Sequence, residues 1–274
     1  MEVYMCKGLT RIVVIFLVVA FVLTMVGCSK SPTGEKKNLK LGCTPTMEPM
    51  LQWIKEGLAP QGYNVEIVMF DANQLPAVAL EDGSIDGIIQ NHRPWMLTFN
   101  KENNANLEMV KPYYFHSFYA IYSAKYKKLD QIPQNAKFTI PNDPTNLSRG
   151  LIILKEAGLV ALKEKTGSFY TLLDIKDNPK NLSFVEAEIM QTARSIQDVD
   201  AVIATAYFMA ETAKADPKVF LFEDPHNKDY ALGLIVRSED LESAWAKEAV
   251  KILRSEKNRA RFNELYKGRY TLID

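Results

Sequence analysis

Short apolar stretches alternate with amphipathic stretches along the chain after residue 38. The first apolar stretches are residues 39–43, 65–70 and 85–89, and they contain almost no polar alternation. Between them, apolar side chains recur at helical spacing in residues 47–58 and 75–80. Strands of this kind, separated by helices, are typical of a parallel sheet that is covered on both faces. The pattern predicts an α/β fold whose ligands bind beyond the carboxyl ends of the strands.

The second half of the chain continues this alternation. Strands are predicted at 138–140, 183–188, 200–204, 219–222 and 230–236, and helices at 145–156, 207–213 and 241–265. Gly158 and Gly167 punctuate a further predicted helical region that runs to about residue 173. Residues 111–122 are dense in aromatic side chains and alternate like a long strand. That segment is either a crossover that lines a cleft between two lobes or a core strand.

Residues 138–149 predict a strand, a tight turn and a helix N-terminus. Pro144 breaks the chain after the strand, and Thr145 or Asn146 is placed to cap the helix that follows. Arg149 lies within the first turn and a half, where a cation opposes the helix dipole. An anion such as a ligand carboxylate, held between Arg149 and the free N–H groups of the helix, would favour this arrangement. The alternative is that Arg149 lies on a solvated face and pairs with a nearby acid.

Polar and aromatic side chains also follow the earlier predicted strands, at 44–47, 71–74 and 90–95. Pro94 suits a first helical position, which places His92 at another helix entrance. His92 and Trp95 either face a ligand or pack under the loop. His116 and His226 are isolated, so no histidine pair has metal spacing, and no Ser/His/Asp or Cys/His pattern is present. We therefore expect no metal, no cofactor and no catalytic residues.

The N-terminus has the layout of a secretory signal. Lys7 and Arg11 precede an apolar run at 12–23, which is shorter than the roughly 20 residues of a membrane-spanning helix. Residues 25–28, Met-Val-Gly-Cys, resemble a bacterial lipobox, in which Cys28 carries the lipid. We assign 1–27 to the signal peptide and 28–38 to a flexible polar tether; the alternative is an uncleaved N-terminal anchor. The expected location is the extracytoplasmic face of the cell membrane, with a lipid anchor.

Charge and cysteine content exclude other classes of protein. The chain has 33 basic and 33 acidic side chains, and removing residues 1–27 takes away two basic and one acidic, which leaves a formal net charge of −1. That balance, without a basic stripe, argues against nucleic acid as a partner. Once Cys28 carries lipid, Cys43 is the remaining cysteine of the mature chain, so an intramolecular disulfide is impossible. A buried, inert thiol is the expected role of Cys43.

Several segments resemble the methionine-binding lipoprotein family, the NlpA-type solute-binding proteins of bacterial ABC importers. Residues 140–149, Ile-Pro-Asn-Asp-Pro-Thr-Asn-Leu-Ser-Arg, match the family's pattern throughout, and 174–182 match its Asp-x-x-x-Asn-Pro-Lys-Asn-Leu segment. Residues 186–195 follow the next pattern, and the likeness covers essentially the whole mature chain. The resemblance implies a two-lobe periplasmic-binding-protein-like fold of type II, with the ligand enclosed between the lobes. We assign lobe 1 to 39–113 plus 230–274 and lobe 2 to 114–229.

The resemblance also implies roles for individual residues. Arg149 would pair with the ligand's α-carboxylate, and Asn146 would hydrogen-bond its amino-acid head. His92 occupies the histidine of the family's Phe-Gln-His-Lys-Pro-Tyr motif, and Trp95 takes the place of its tyrosine. With the strand ends and the aromatic segment, the candidate ligand-binding residues are Thr44, Gln90, Asn91, His92, Trp95, Tyr119, Asn146, Arg149, Glu188 and Tyr207.

Two positions depart from the family pattern. Gln90 stands where a phenylalanine is expected to cover an apolar ligand side chain, and Asn91 replaces the following glutamine. Ala204 replaces the asparagine of the Ile-Asn-x-x-Tyr motif, although Tyr207 is kept. An unpaired carboxamide enclosed against an apolar side chain costs about 1–3 kcal/mol. We therefore expect methionine not to be the best ligand.

The resulting hypothesis is a lipid-anchored, monomeric receptor that delivers a small amino acid or related carboxylate to the permease subunits of an ABC importer. One alternative is an enzyme on the same two-lobe fold, with Cys43 or His92 as nucleophile or base. Another is a surface adhesin or signalling lipoprotein with a vestigial cleft. Reversible binding of an unchanged small molecule would separate the first hypothesis from the other two.

Overall fold

The structure is a computed structural model that describes residues 36–165 and 169–274. The predicted signal peptide, Cys28 and Gly167 lie outside these ranges. Asn38, which we assigned to the end of the tether, already belongs to the first strand. Within the described ranges, no helix combines the length and apolar character that crossing a membrane requires.

Strands and helices follow the predicted alternation over most of the described chain. The helices are α1 (Glu48–Leu58), α2 (Leu75–Glu81), α3 (Arg93–Asn103), α4 (Pro144–Glu156), α5 (Ile189–Thr192), α6 (Ala206–Glu211), α7 (Ala244–Arg254) and α8 (Glu256–Leu265). The strands are β1 (Asn38–Cys43), β2 (Asn64–Met69), β3 (Gly87–Ile88), β4 (Leu107–Met109), β5 (Phe115–Ser117), β6 (Tyr119–Tyr122), β7 (Lys137–Pro141), β8 (Ala161–Leu162), β9 (Ile175–Asp177), β10 (Ser183–Ala187), β11 (Ala201–Thr205), β12 (Phe222–Glu223), β13 (Ala231–Leu232), β14 (Ile235–Arg237) and β15 (Tyr270–Leu272).

The sheet of the first lobe has the strand order β2-β1-β3-β14-β4. Strands β2 and β3 both run parallel to β1, as the apolar pattern predicts, and β14 joins antiparallel to β3 and β4. Helix α1 buries Met50, Leu51 and Ile54 in a core that it shares with Trp245 and Leu253 of α7. One continuous core therefore joins the N-terminal βα unit to the C-terminal helices.

The sheet of the second lobe has the order β10-β7-β11-β6-β12. Strand β7 lies parallel to β10 and β11, whereas β6 pairs antiparallel with β11 and β12. Helix α4 packs on this sheet through Leu151 and Leu154, which share a core with Ile140 and Ile203. Because β1, β3, β7 and β11 each feed a loop or helix from their carboxyl ends, those ends are where a ligand site is expected.

Strand β5 pairs with β13 and β15 in a small third sheet, and the chain passes between the lobes through it. Of the two alternatives for residues 111–122, the structure supports the crossover and not a single core strand, because β5 and β6 belong to different sheets. The chain leaves one sheet for the other at Phe118, although the aromatic alternation continues across that change. Apart from Asn38, the strands of the two large sheets have residue numbers inside our proposed lobe ranges, but β5, which we placed in lobe 2, pairs with strands of the lobe 1 range.

Some other elements differ from the prediction. No α-helix occupies the described residues between 158 and 173, where only a short 3-10 turn starts at Leu172. Gly158, two residues after the end of α4, adopts φ +70°, and β8 follows. The predicted strand at 219–222 shortens to β12, and the one at 230–236 divides into β13 and β14. The final run of 241–265 is two helices, because Ser255 breaks α7 and its side chain accepts from the Asn258 N–H to cap α8.

Candidate ligand-binding cleft

A cavity of about 60 Å³ lies where the carboxyl ends of the strands in the two lobes face each other. Of the predicted site residues, those that line it are Gln90, Asn91, His92, Trp95, Asn146 and Arg149. The others lie close by. Thr44 donates a hydrogen bond to Gln90, and Glu188 lines a neighbouring cavity. The ring of Tyr119 packs against the guanidinium of Arg149. Tyr207 stacks on Tyr270, with 5.7 Å between the ring centroids.

Arg149 is buried at the base of this cavity, with 1% of its side chain exposed. Its Nε donates to Asp224 Oδ2 at 2.6 Å, and its Nη2 donates to Asn227 Oδ1 at 2.7 Å. The guanidinium carbon lies 3.7 Å from the centroid of the Tyr230 ring and 4.4 Å from that of Tyr119. Arg149 does pair with an acid, but the alternative that it lies on a solvated face is wrong, because the side chains of both Arg149 and Asp224 are buried.

The contacts of Arg149 leave one part of the guanidinium facing the cavity. Asp224 and Asn227 occupy the edge formed by Nε and Nη2. Nη1 forms no hydrogen bond within the described residues, and Arg149 lines the cavity. A guanidinium carries five N–H donors in a rigid plane, so its outer end can still receive a carboxylate in bidentate geometry.

Asp143 caps helix α4, since its Oδ1 accepts from the Asn146 N–H at 3.1 Å. This corrects our assignment of the cap to Thr145 or Asn146; Thr145 instead donates its hydroxyl to Asp143 at 2.9 Å. The Asn146 side chain is also engaged. Its Nδ2 donates to both carboxylate oxygens of Asp143, at 3.1 and 3.0 Å, and its Oδ1 lies 3.1 Å from His92 Nε2.

His92 caps helix α3 and connects the two lobes. Its Nδ1 accepts from the Trp95 N–H at 3.1 Å, which places the ring proton on Nε2, where it is donated to Asn146 Oδ1. Burial, and then the positive charge of Arg149, lower the pKa of His92 from 6.5 to about 4. A neutral imidazole therefore lines the cavity, and His92 both faces the site and supports the loop.

Gln90 has protein partners at both ends of its carboxamide. Its Oε1 accepts from the backbone N–H and the hydroxyl of Thr44, at 2.9 and 3.0 Å, and its Nε2 donates to Asn73 Oδ1 at 2.6 Å. This corrects our premise that Gln90 needs a polar ligand. Ala204 is likewise not a gap in the site, because it is fully buried in β11 among apolar side chains, and Thr205 lines the cavity instead.

Sequence reasoning missed the partners of Arg149. Asp224 and Asn227 follow a short edge strand and lie outside the predicted elements, and Tyr230 begins the predicted strand at 230–236 without any signal that it faces the cleft. A signal existed for Asn73, which lies in the stretch after β2, and for Thr205, which ends β11. Both positions follow from the rule that sites form at carboxyl ends of strands.

The described residues give little support for catalysis. Burial, and then the nearby charge of Glu48, raise the pKa of the Cys43 thiol to about 12, whereas nucleophilic cysteines have a lowered pKa. His92 has both ring nitrogens engaged. Across the described ranges, no group of three His, Cys, Asp or Glu side chains is arranged to hold a metal ion.

Comparison with known proteins finds relatives that are named for methionine binding. The D-methionine-binding lipoprotein MetQ of Escherichia coli strain K12 is 30% identical over 251 residues, which cover 90% of this chain and 92% of that protein. The Yersinia pestis protein of the same name is 32% identical over 252 residues, with the same coverage.

Solved structures agree with the sequence comparison. A nutrient-binding protein from Burkholderia cenocepacia bound to methionine superposes with a TM-score of 0.79 at 28% identity, covering 86% of this chain and 100% of that one. The substrate-binding protein of a methionine transporter from Streptococcus pneumoniae gives 0.78 at 28% identity, covering 87% and 96%. The NlpA lipoprotein family model matches residues 39–272. The chain therefore belongs to the NlpA lipoprotein family and has its two-lobe fold.

Proposed function

We propose that this protein is a lipid-anchored substrate-binding protein of an ABC importer, which encloses a small amino acid or related carboxylate and delivers it to permease subunits. The relatives named for methionine binding and methionine transport support the importer role. They are binding proteins, and the raised pKa of Cys43 gives no support to the enzyme alternative.

The observation that carries the proposal is the setting of Arg149. A buried guanidinium packs over the rings of Tyr119 and Tyr230 and is held along one edge by Asp224 and Asn227. Its position is therefore fixed before any ligand arrives, and little conformational entropy is lost on binding. Its outer end meets a cavity between two lobes, where a carboxylate would be withdrawn from water.

Ligands that differ only in the carboxylate test this role. A thermal-shift panel of L-amino acids identifies binders, since a ligand stabilises the folded state according to its occupancy. For each binder, we expect the matching amide to give no shift, because the amide lacks the charge that meets Arg149. Calorimetry then measures Kd for the acid.

Arg149→Lys is the informative variant, because Arg149→Ala would leave Asp224 buried without its cationic partner and destabilise the fold by about 3–5 kcal/mol. Lysine keeps the charge and loses the planar fork, so we expect Kd to rise about thirtyfold or more. Arg261→Lys, at an exposed pair with Glu56, is the control and should bind normally. A rise in Kd below threefold for Arg149→Lys, or binding of the amides, would contradict the anchor.

A further inference from the structure

A second cavity adjoins the one that Arg149 lines, and its volume is about 340 Å³. Asn73, Trp95 and Ile189 line both cavities, so the two are compartments of one cleft. The walls of the second compartment come from α3 of lobe 1, from the N-terminus of α4 and from the start of α5 in lobe 2.

The second compartment is acidic. Glu102, Asp143 and Glu188 line it, and none of the three forms an ion pair with a described residue. The positive charge of Arg194 acts on Glu188, but its guanidinium hydrogen-bonds to Gln191 Oε1 instead. Burial, and to a smaller extent the charge of Asp143, raise the pKa of Glu188. A cationic ligand group would relieve this like-charge crowding.

The first compartment has the opposite character. Among the described residues that line it, Arg149 is the only charged one, so no carboxylate faces a ligand ammonium there. Asn91, which is 4% exposed, has a buried Oδ1 without a hydrogen-bond partner, while its Nδ2 donates to the backbone oxygen of Asn73 at 3.4 Å. Asn73 lines both compartments, so neutral amides lie between the cation of Arg149 and the acidic compartment.

We propose that the two compartments together bind a molecule with a carboxylate at one end and an ammonium group well separated from it, either a diamino acid or a short peptide. The carboxylate meets Arg149, and the ammonium lies among Glu102, Asp143 and Glu188. The inference rests on the proposed function, because it assumes that the cleft binds a carboxylate, and it adds the second recognition site.

The separation of the two charged regions supports a ligand longer than an α-amino acid head. Asp143 and Arg149 are six positions apart at the start of α4, which corresponds to about 9 Å of helix rise, and the Arg149 side chain leans back toward Asp143 and shortens that span. The two charges of an α-amino acid lie within one residue, less than about 3.6 Å, whereas the ends of a dipeptide are about 7 Å apart. The α-ammonium of methionine therefore stays near Arg149 and leaves the acidic compartment without a cation.

Two matched ligand pairs test the proposal by calorimetry on the soluble chain from residue 29 onward. L-lysine and L-norleucine share a carbon chain and differ in the terminal ammonium. L-alanyl-L-alanine and its N-acetyl form differ in the charge of the N-terminus. We expect at least one charged member to bind about tenfold or more tightly than its neutral partner; the first pair reports a diamino acid and the second a peptide.

A double variant assigns the preference to the acidic compartment. In Glu102→Gln/Glu188→Gln, we expect the charged-to-neutral affinity ratio to fall at least fivefold. Asp143 stays unchanged, because its carboxylate caps α4 and holds Asn146. Glu188 caps α5 by accepting from the Met190 N–H, and the amide oxygen of glutamine can still accept this hydrogen bond. Glu156→Gln/Glu264→Gln removes the same two charges from exposed positions outside the cleft and should preserve the ratio.

The outcomes separate this inference from the proposed function. Equal affinities within both pairs, or an unchanged ratio in the cleft variant, would overturn the second site. If the second site is overturned and L-methionine or L-norleucine binds most tightly, the proposed importer role stands without a second recognition site. If none of these ligands and no amino acid binds, both proposals are wrong.

Discussion

Arg149 illustrates how a buried charge is made compatible with the protein interior. Removing an ion from water costs several kcal/mol, and a single partner seldom offsets that cost. Here the offset is divided between the carboxylate of Asp224, the amide of Asn227 and two aromatic faces. The arrangement holds the guanidinium in one orientation, which is what a selective carboxylate site requires.

His92 gives the first prediction at the scale of residues. Its pKa lies near 4 in the folded protein, whereas an unfolded histidine titrates near 6.5. Between these pH values His92 is protonated in the unfolded chain and neutral in the folded chain. Its contribution to the free energy of unfolding is therefore fully present above pH 6.5 and is lost as the pH decreases toward 4. The expected loss is about 3 kcal/mol.

His92→Asn isolates this contribution, since asparagine can also cap α3 and does not titrate. Urea denaturation from pH 7.5 to 4, followed by circular dichroism, should show a shallower loss of stability in the variant. Carboxylates and His116 titrate in both proteins, so their contributions cancel in the comparison. Parallel curves for the two proteins would show that His92 titrates normally in the fold.

At the scale of elements, the two helices that meet at the cleft start in similar ways. α3 and α4 begin at His92 and Asp143, and the cap side chains are joined through Asn146. The sequence predicted both helix starts, because Pro94 and Pro144 mark them. It placed the cap of α4 too late, since Asp143, Thr145 and Asn146 are all good capping residues and tertiary contacts select among them.

Local patterns predicted the elements whose apolar spacing is uninterrupted, and they failed where packing overrides spacing. The strands β1, β2, β7 and β11 match their apolar runs closely. The stretch after Gly158 has apolar side chains that reach the core from extended backbone, which periodicity cannot distinguish from a helix. The hydrogen bonds of Gln90 to Thr44 and Asn73 were likewise invisible, because they join loops distant in sequence.

Gly150 gives a prediction at the scale of elements. Alanine is usually preferred over glycine in a helix by about 1 kcal/mol. At Gly150, however, a Cβ would lie 2.8 Å from Ile140 Cδ1 and 2.9 Å from Cγ1, where α4 packs closely on β7. We expect Gly150→Ala to destabilise the protein by about 1–3 kcal/mol in urea denaturation and to weaken ligand binding, because α4 carries Arg149.

Lys155→Ala on the same helix is exposed and should change stability by less than about 0.5 kcal/mol. A Gly150→Ala protein as stable as the parent, or more stable, would mean that Ile140 moves aside freely. Unchanged ligand affinity in a destabilised variant would show that the position of Arg149 does not depend on this contact.

At the scale of the whole molecule, the lobes are tied together by contacts from distant parts of the chain. Besides the His92–Asn146 hydrogen bond, Arg269 near the C-terminus pairs with Glu211 of α6 at 2.7 Å. The family resemblance predicted the two lobes, whereas apolar patterning alone predicted an α/β sheet without saying where it divides. Aromatic density between residues 111 and 122 suits both a crossover and a core strand, so only the pairing of β5 decides between them.

The last prediction concerns how the whole molecule is held at the membrane. Met25, Val26 and Gly27 precede Cys28 after a basic start and a short apolar run, and lipoprotein relatives share the family. Acyl chains contribute about 0.8 kcal/mol per buried CH₂, so more than one chain anchors stably.

We expect Cys28→Ser to abolish labelling by a fatty-acid analogue in cells and to release the protein from the membrane fraction. Cys43→Ser is the matched control, because a buried thiol with a pKa of about 12 stays protonated and inaccessible, and this variant should label fully. Equal labelling of the Cys28→Ser protein would place the lipid on another residue, and an unlabelled parent protein that stays in the membrane fraction would favour the uncleaved anchor.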